Sequence, residues 1–502
     1  MSLVAMVPEV FAPGGVLARA DEHFQPRDGQ TQMAIAVAET IAEGGALVVE
    51  AGTGVGKTYA YLVPALLSGE RVLLSTATKA LQDQLFARDL PRLAQILGLP
   101  VRMALLKGRA SYLCLHRMQQ ARLDVQAQDR GVARVLAKVE DWSRQTVSGD
   151  LAELTGLDER SPVIPLVTST RENCLGSSCP RFRECHVHRA RREALAADIV
   201  VINHHLFFAD VAVRESGMAE LLPTVRVVVF DEAHQINETG VQFLGTQMST
   251  GQWMDFARDL LIAGLQHARG MADWAGLSQL LELSARDLRL VVGNAIFQGA
   301  NGVAAGARVR WTEEAPEGLS GAAWHAALRA LGSACAQSLE ALDTVSEISP
   351  DLERLYERGS ALLARLARFS GPCQADAVRW LDVGNQLRLI ESPLDIADAM
   401  RTRILTSPAE TSEGEAWPEE PVANVGRAWI FTSATLGADE ALTWFTERAG
   451  LKDARILRVA SPFDYARQAA LYVPRQLPPP ADPSHSRCVA EWVALAAEPL
   501  GG

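Results

Sequence analysis

The sequence predicts an α/β protein whose centre is a parallel sheet covered by helices on both faces. Three observations predict it. Short runs that are apolar at nearly every position recur along the chain: Ala46–Glu50, Arg71–Ser75, Asp198–Ile202, Val225–Phe230 and Ala428–Thr432. Strands of that kind bury both faces, as strands in parallel sheets do. Helical stretches alternate with the first of them, one after Lys57 and one from about Lys79 to Arg88; β–α alternation is how parallel strands are connected. At 502 residues the chain is also too long for one ordinary domain, so further domains must interrupt or follow the sheet.

Two regions interrupt the alternation. From about 105 to 195 lie four of the seven cysteines, and from about 246 to 405 the sequence turns Leu- and Ala-rich. There Leu352, Leu355, Gly359, Leu362, Leu366 and Phe369 recur at helical spacing, the stripe of a helical-bundle core. No internal repeat is visible, and the Pro-rich stretch Leu477–Pro483 reads as a linker.

Composition excludes several classes. An apolar share of 48% with 22% charged residues is that of a globular chain. No run of 18 apolar residues is present, and the N-terminus lacks a basic region followed by an apolar core, so neither a membrane partner nor export is expected. The expected location is cytoplasmic. Seven cysteines in such a chain do not make a disulfide framework, and clustered ones read as metal ligands. The net charge of −12 excludes blanket affinity for nucleic acid but not a local basic track.

The strongest local signal is Ala51-Gly52-Thr53-Gly54-Val55-Gly56-Lys57-Thr58, directly after the first strand. Glycines let the backbone curl so that N–H groups point at phosphate oxygens at the start of a helix. Lys57 is placed to reach the β- and γ-phosphates of ATP, and the Thr58 hydroxyl to ligate Mg²⁺. Asp231-Glu232-Ala233-His234 follows the strand ending at Phe230. A carboxylate there is suited to hold Mg²⁺, and the adjacent Glu232 to polarise the attacking water. Together they read as a nucleotide hydrolase with Lys57, Asp231, Glu232 and His234 as its catalytic set. Weaker elements fit around it. Arg27 and Gln30 precede the phosphate loop at a spacing suited to adenine recognition. Thr76, Thr78 and Gln82 stand at a strand–helix junction where hydroxyls grip a phosphate backbone. Ser433-Ala434-Thr435 ends the last core strand, where it can couple the nucleotide state to a bound strand.

Cys114, Cys174, Cys179 and Cys185 form the pattern C-x59-C-x4-C-x5-C. Four soft thiolates suit structural zinc or an iron–sulfur cluster, and the spacing alone leaves both open. Local charge turns positive around them: Lys107, Arg109 and Arg117 flank Cys114, and Arg181, Arg183, Arg189, Arg191 and Arg192 surround Cys185. Tyr112 and Phe182 lie among these, as where bases stack beside a phosphate-tracking groove. A solvated basic face is the bland alternative.

At this point the chain resembles the DinG-type DNA helicases, XPD-related members of superfamily 2, in their YoaA branch. The carrying segments are VVEAGTGVGKTYAYLVPAL, STATKALQDQL, ALLKGRASYLC, VTSTRENCLGSSCP, VVINHHLFFAD, VVVFDEAHQ, WIFTSATL and SPFDYARQA, in family order over nearly the whole length. The resemblance implies a RecA-like motor domain at 1–104, 196–245 and 406–440. It places an iron–sulfur domain at 105–195, a helical arch at 246–405 and the start of an incomplete second RecA-like domain at 441–502. It implies a [4Fe–4S] cluster on Cys114, Cys174, Cys179 and Cys185, and ATP-dependent 5′-to-3′ unwinding of DNA in repair or replication. Single-stranded or forked DNA is the expected partner, contacted by Thr76, Thr78, Gln82, Lys107, Arg109 and Tyr112; replication and repair proteins are further partners, and a monomer is expected. Relatives continue past position 502 to carry arginines that face the γ-phosphate, and such arginines are worth roughly 10³–10⁵ in rate. No such motif follows Thr435. Taken as complete, the chain is therefore expected to bind ATP, hydrolyse it slowly and not unwind processively; the alternative is a truncated ATP- and single-strand-binding relative without motor activity.

Overall fold

The computed structural model describes residues 2–125, 130–215, 222–298, 307–312, 314–373, 377–393, 396–405, 426–469, 471, 473–480 and 482–498. Residues 406–425, where the last part of the motor domain was expected to begin, lie outside the described residues. Eleven strands occur among the described residues: β1 (Gly45–Ala51), β2 (Val72–Thr76), β3 (Met103–Leu105), β4 (Ile199–Asn203), β5 (Val227–Asp231), β6 (Thr246–Ser249), β7 (Ala307–Trp311), β8 (Ala377–Val383), β9 (Leu387–Pro393), β10 (Ala428–Ser433) and β11 (Arg455–Val459).

Seven of them form the expected parallel sheet, in the order β11-β1-β10-β5-β2-β4-β3. Side chains alternate across a strand, and here both sets are apolar. Leu47, Val49, Val72, Leu74, Ile199, Val201, Val227, Val229 and Ile430 enter one core. Val48, Leu73, Val200, Ile202, Val228, Phe230, Trp429 and Phe431 enter the other. Helices Asp28–Glu43 and Lys57–Leu67 cover the first face. The stretch Leu3–Ala20 has the length and mean hydropathy (1.4) of a candidate membrane span. It folds as two helices, Leu3–Phe11 and Val16–Ala20, whose Val7, Phe11 and Leu17 are buried in that first core.

The first interruption lies between β3 and β4. Leu113, Met118, Leu136, Val139, Leu151 and Val167 give it a small core of its own. Its return helix, His186–Ala196, buries Val187, Ala190 and Ala194 against the second face of the sheet, so that helix belongs to the sheet layer. The second interruption, between β5 and β10, was expected to be wholly helical and is not. Four long helices (Thr250–His267, Trp274–Gln298, Gly321–Asp343, Pro350–Ser370) pack on an antiparallel sheet in the order β6-β9-β8-β7. Trp253, Phe256, Trp274, Trp324 and Phe369 fill its core together with Leu381 and Leu389 from the strands. The predicted stripe from Leu352 to Phe369 is buried there, and Gly359 is needed: a Cβ would stand 2.9 Å from both Leu339 and Phe256.

The start of a second motor domain was expected at 441. Instead β11 hydrogen-bonds in parallel to β1, which keeps residues up to Ala460 in the first compact unit. The second unit begins at Ser461 and shows the short helix Tyr465–Gln468 and the helix His485–Ala497.

Candidate active site

The loop after β1 turns on two glycines with positive φ, Gly54 (+85°) and Gly56 (+86°), a region L side chains rarely adopt. Gly56 immediately precedes the helix Lys57–Leu67. A Cβ on Gly56 would come within 2.2 Å of Gln30 Nε2, so the position excludes a side chain twice over. Val55 is buried and anchors the loop, and Gly52 N–H donates to Val459 O at 2.9 Å. Gln30 Nε2 donates to Gly56 O (2.9 Å) and Arg27 Nη1 to Gly54 O (2.7 Å). Both residues expected to recognise adenine thus support the loop's carbonyls. Lys57 Nζ reaches back to Ala51 O at 3.4 Å, across the hollow the loop encloses.

Asp231 ends β5, with β10 between it and β1. The Tyr61 hydroxyl donates to Asp231 Oδ2 at 3.0 Å, and Thr58 is a hydrogen-bond partner of the same hydroxyl. One turn of helix therefore joins the phosphate loop to the acidic strand end. Burial, aided by the neighbouring Glu232 carboxylate, pushes the Asp231 carboxyl up to about 6. Glu232 sits at φ +55°, in the left-handed region that a non-glycine residue occupies only when its surroundings enforce it. Ser433 Oγ, at the end of β10, donates to Glu232 Oε2 (3.3 Å) and lies 2.8 Å from His234 Nδ1. With its one proton given to Glu232, the serine must accept from His234, which fixes the proton on Nδ1. Glu232, His234 and Ser433 thus form one hydrogen-bonded set beside Asp231, while Ala434 is half-buried and Thr435 exposed.

The expected nucleic-acid contacts fare differently. Thr76 and Gln82 are fully buried; Gln82 Nε2 donates to Leu106 O at 3.4 Å. Thr78 is exposed and caps the helix Lys79–Gln84 by accepting from Leu81 N–H. Lys107 is 4% exposed, paired with Asp150 (2.6 Å) and Asp83 (2.8 Å). Burial pulls its pKa down and the two carboxylates outweigh that, so it stays charged inside the protein. Tyr112 is also buried, its hydroxyl accepting from Lys107 N–H. The reading of Lys107 and Tyr112 as a charged and stacking surface is therefore corrected: both are interior. Arg109 is half-buried and donates to Cys174 Sγ at 3.0 Å.

Cys114, Cys174, Cys179 and Cys185 are free, half-buried thiols within electrostatic range of one another. Burial, then mutual repulsion, pushes Cys114 up to about 11. Arg191 is drawn down to about 10 by burial and by the Arg109 guanidinium beside it. Among the described residues no group of three or more His, Cys, Asp or Glu is arranged to hold a metal ion directly. The donor set nonetheless fits an anionic iron–sulfur cluster in chemistry: four thiols gathered from two segments, faced by two guanidiniums. Of the remaining cysteines read as packing residues, Cys335 is buried and Cys373 is exposed.

The cysteine-bearing segment is clamped to the helical insert. Asp259 binds Arg117 (2.8 Å) and Arg358 (2.7 Å), all three buried. Asp351 takes His116 and Gln120, each at 2.9 Å, and Glu172 takes Arg365 (2.7 Å) and Gln252 (3.1 Å).

Sequence reasoning missed Tyr61 and His204. Tyr61 lies four residues after Lys57, one helical turn on, so helix periodicity could have placed it beside the loop. His204 is buried, 2.7 Å from Ser75 Oγ through Nδ1, and burial holds it neutral with a pKa near 4; nothing local in the sequence marks it.

A phosphate loop after β1 and an Asp-Glu end on β5, joined through Tyr61 and flanked by a serine from the strand between them, define a nucleotide-hydrolysing motor. The family described as DEAD/DEAH box helicase matches residues 31–138. The chain is 38% identical to the ATP-dependent DNA helicase YoaA of Escherichia coli (strain K12) over 98% of this chain and 72% of that protein. It is 38% identical to YoaA of Haemophilus influenzae over 94% of this chain and 69% of that protein. To the ATP-dependent helicase DinG of Mycobacterium tuberculosis it is 42% identical over 47% of this chain and 37% of that protein. A solved chain described as Truncated XPD aligns at 15% identity and a TM-score of 0.41, over 85% of this chain and 98% of that one. The chain belongs to the YoaA/DinG-type ATP-dependent DNA helicases.

Proposed function

We propose that this chain hydrolyses ATP with Mg²⁺ at the phosphate loop and spends the energy on 5′-to-3′ travel along single-stranded DNA, opening forked DNA during repair or replication in the cytoplasm. The observation that carries the reading is the hydrogen-bonded set of Asp231, Glu232, His234 and Ser433 facing the helix that starts at Lys57. Lys57 binds the β- and γ-phosphates once nucleotide draws it from Ala51 O, and backbone N–H groups of Gly52 to Gly56 orient them. Thr58 and Asp231 are the residues to hold Mg²⁺, which supplies charge neutralisation on the transferring group. Glu232 takes the proton of the attacking water, and Ser433 with His234 orients that carboxylate. Cys114, Cys174, Cys179 and Cys185 are the residues to hold a [4Fe–4S] cluster, which ties distant points of the chain together; the guanidiniums of Arg109 and Arg191 support this choice by offsetting negative charge.

The test is phosphate release by the purified chain with and without single-stranded DNA, followed by strand displacement on forks with a 5′ or a 3′ tail. Stimulated release and displacement from the 5′ tail are expected. Displacement from the 3′ tail alone refutes the polarity, and no phosphate release refutes the whole reading.

A further inference from the structure

Glu50 stands where three segments of the motor sheet meet. It is the penultimate residue of β1, directly before Ala51 and the phosphate loop. Its side chain is 13% exposed. Carboxylate oxygen Oε2 accepts the backbone N–H groups of Leu436 (2.7 Å) and Gly437 (3.1 Å), the residues that follow Ser433-Ala434-Thr435. Oxygen Oε1 accepts from Arg458 on β11 through Nη2 (2.8 Å) and Nε (3.1 Å). Arg458 closes the ring by donating to Asp439 O at 3.2 Å, in the same loop that Glu50 holds. The next residue, Val459, accepts Gly52 N–H of the phosphate loop.

Four donors therefore fill the roughly four acceptor sites of one carboxylate; all four are charge-assisted, and the two from Arg458 converge on the single oxygen Oε1. Such a group fixes position rather than merely packing. What it fixes is the loop behind Ser433, the residue that orients Glu232 and His234. A displacement of about 1 Å at a site of this kind can cost up to about 100-fold in rate.

We propose that Glu50 is a positioning residue for ATP turnover. It keeps the loop 433–437 in register with the phosphate loop, so that Ser433 holds the water-activating carboxylate aligned. The proposal rests on the ATPase reading above. It predicts a division of labour on the carboxylate, in which the oxygen facing Leu436 and Gly437 matters for rate and the Arg458 pair matters for holding β11.

The experiment compares wild type with Glu50→Ala, Glu50→Asp and Glu50→Gln in the full chain. It reads three quantities: DNA-stimulated ATP turnover, affinity for a fluorescent ADP analogue, and backbone hydrogen exchange at residues 430–440. In Glu50→Ala, kcat is expected to fall about tenfold or more while KM and ADP affinity stay within about twofold. Glu50→Gln keeps a carbonyl acceptor for the two N–H groups and is expected to recover most of the rate. Unchanged kcat in Glu50→Ala overturns the proposal. So does an equal loss of kcat and ADP affinity that Gln does not rescue, because that pattern marks a general fold defect. Should Glu50→Ala not fold, Glu50→Asp decides: its shorter side chain is expected to lower kcat with ADP affinity kept, and unchanged kcat refutes the idea. A wild-type chain without turnover refutes the ATPase reading instead, and the exchange arm then decides alone. Faster exchange at Leu436 and Gly437 in Glu50→Asp supports the proposal, and unchanged exchange overturns it.

Discussion

Replacing Asp231 by Asn is expected to make the nucleotide-free protein more stable while removing its turnover. Burial and the Glu232 carboxylate raise the Asp231 carboxyl from 3.8 to about 6. The folded pKa lies above the unfolded one, so the contribution of the protonated form is fully present below about 3.8 and is lost as pH rises through 6. At pH 7 and above the ionised carboxylate therefore weakens the fold. Two pH units at about 1.36 kcal/mol each give about 3 kcal/mol; partial exposure at the cleft screens the charge and lowers the expected gain to about 1–3 kcal/mol. Asn keeps one oxygen to accept from the Tyr61 hydroxyl but gives up the bond that Asp231 Oδ1 accepts from Glu232 N–H at 3.0 Å, which holds the gain to the lower part of that range. The assay is thermal unfolding from pH 5 to pH 8 in chelator, without nucleotide. The variant's advantage should widen between pH 5 and pH 7 and then level off. With Mg²⁺ and ADP the order should invert, since only wild type offers a carboxylate to the metal. A pH-independent gap, or a wild type that is the more stable at pH 8 in chelator, refutes the reasoning.

Three further outcomes are expected. Lys57→Ala should abolish ATP hydrolysis with the far-ultraviolet circular dichroism unchanged, and retained hydrolysis would remove the loop from the active site. Cys179→Ser should lose iron, acid-labile sulfide and the visible absorption expected of a thiolate-held cluster; unchanged iron content would strike Cys179 from the ligand set. Asp259→Ala leaves the buried guanidiniums of Arg117 and Arg358 without their shared carboxylate, a change worth about 3–5 kcal/mol. Hydrogen exchange should then rise in the helices Leu115–Val125 and Pro350–Ser370, and an unchanged pattern would mean that the clamp between the two inserts is held elsewhere.

The central strands were legible because being apolar on both faces is a property of five neighbouring residues. Each predicted run overlaps an observed strand to within one or two positions. The edge strands β3 and β11 were missed: β3 has only three residues, and β11 (Arg455–Val459) carries an arginine at two of its five positions. The sheet β6-β9-β8-β7 was missed for a different reason. β8 and β9 do alternate, but they lie at the end of a region whose Leu- and Ala-rich helices dominate any window. At the site, the phosphate loop and the Asp-Glu pair are contiguous motifs and could be read directly. The bonds that join them cannot, because Tyr61 meets Asp231 across 170 residues and Glu50 meets Leu436 across 386. Lys107 was misread on the same account. Its own neighbours are basic, and one of the carboxylates that bury it, Asp150, lies 43 residues further along the insert.

The strand order also has a consequence for how the protein is made. Among the described residues β1, which carries the phosphate loop, pairs with β10 and β11, and β10 joins it to the strand of Asp231. Between Asp231 and Ala428 the ribosome must add nearly 200 residues, which at about 5–20 residues per second takes roughly 10–40 s. During that interval the two halves of the catalytic site exist without the strand that unites them, and β1 is an unpaired edge of the kind that invites misassociation. The second insert, with its own core of helices and sheet, can fold while it waits. No nascent chain can therefore assemble the catalytic site before both inserts have been made, and a chaperone that shields β1 would act in this window rather than after release.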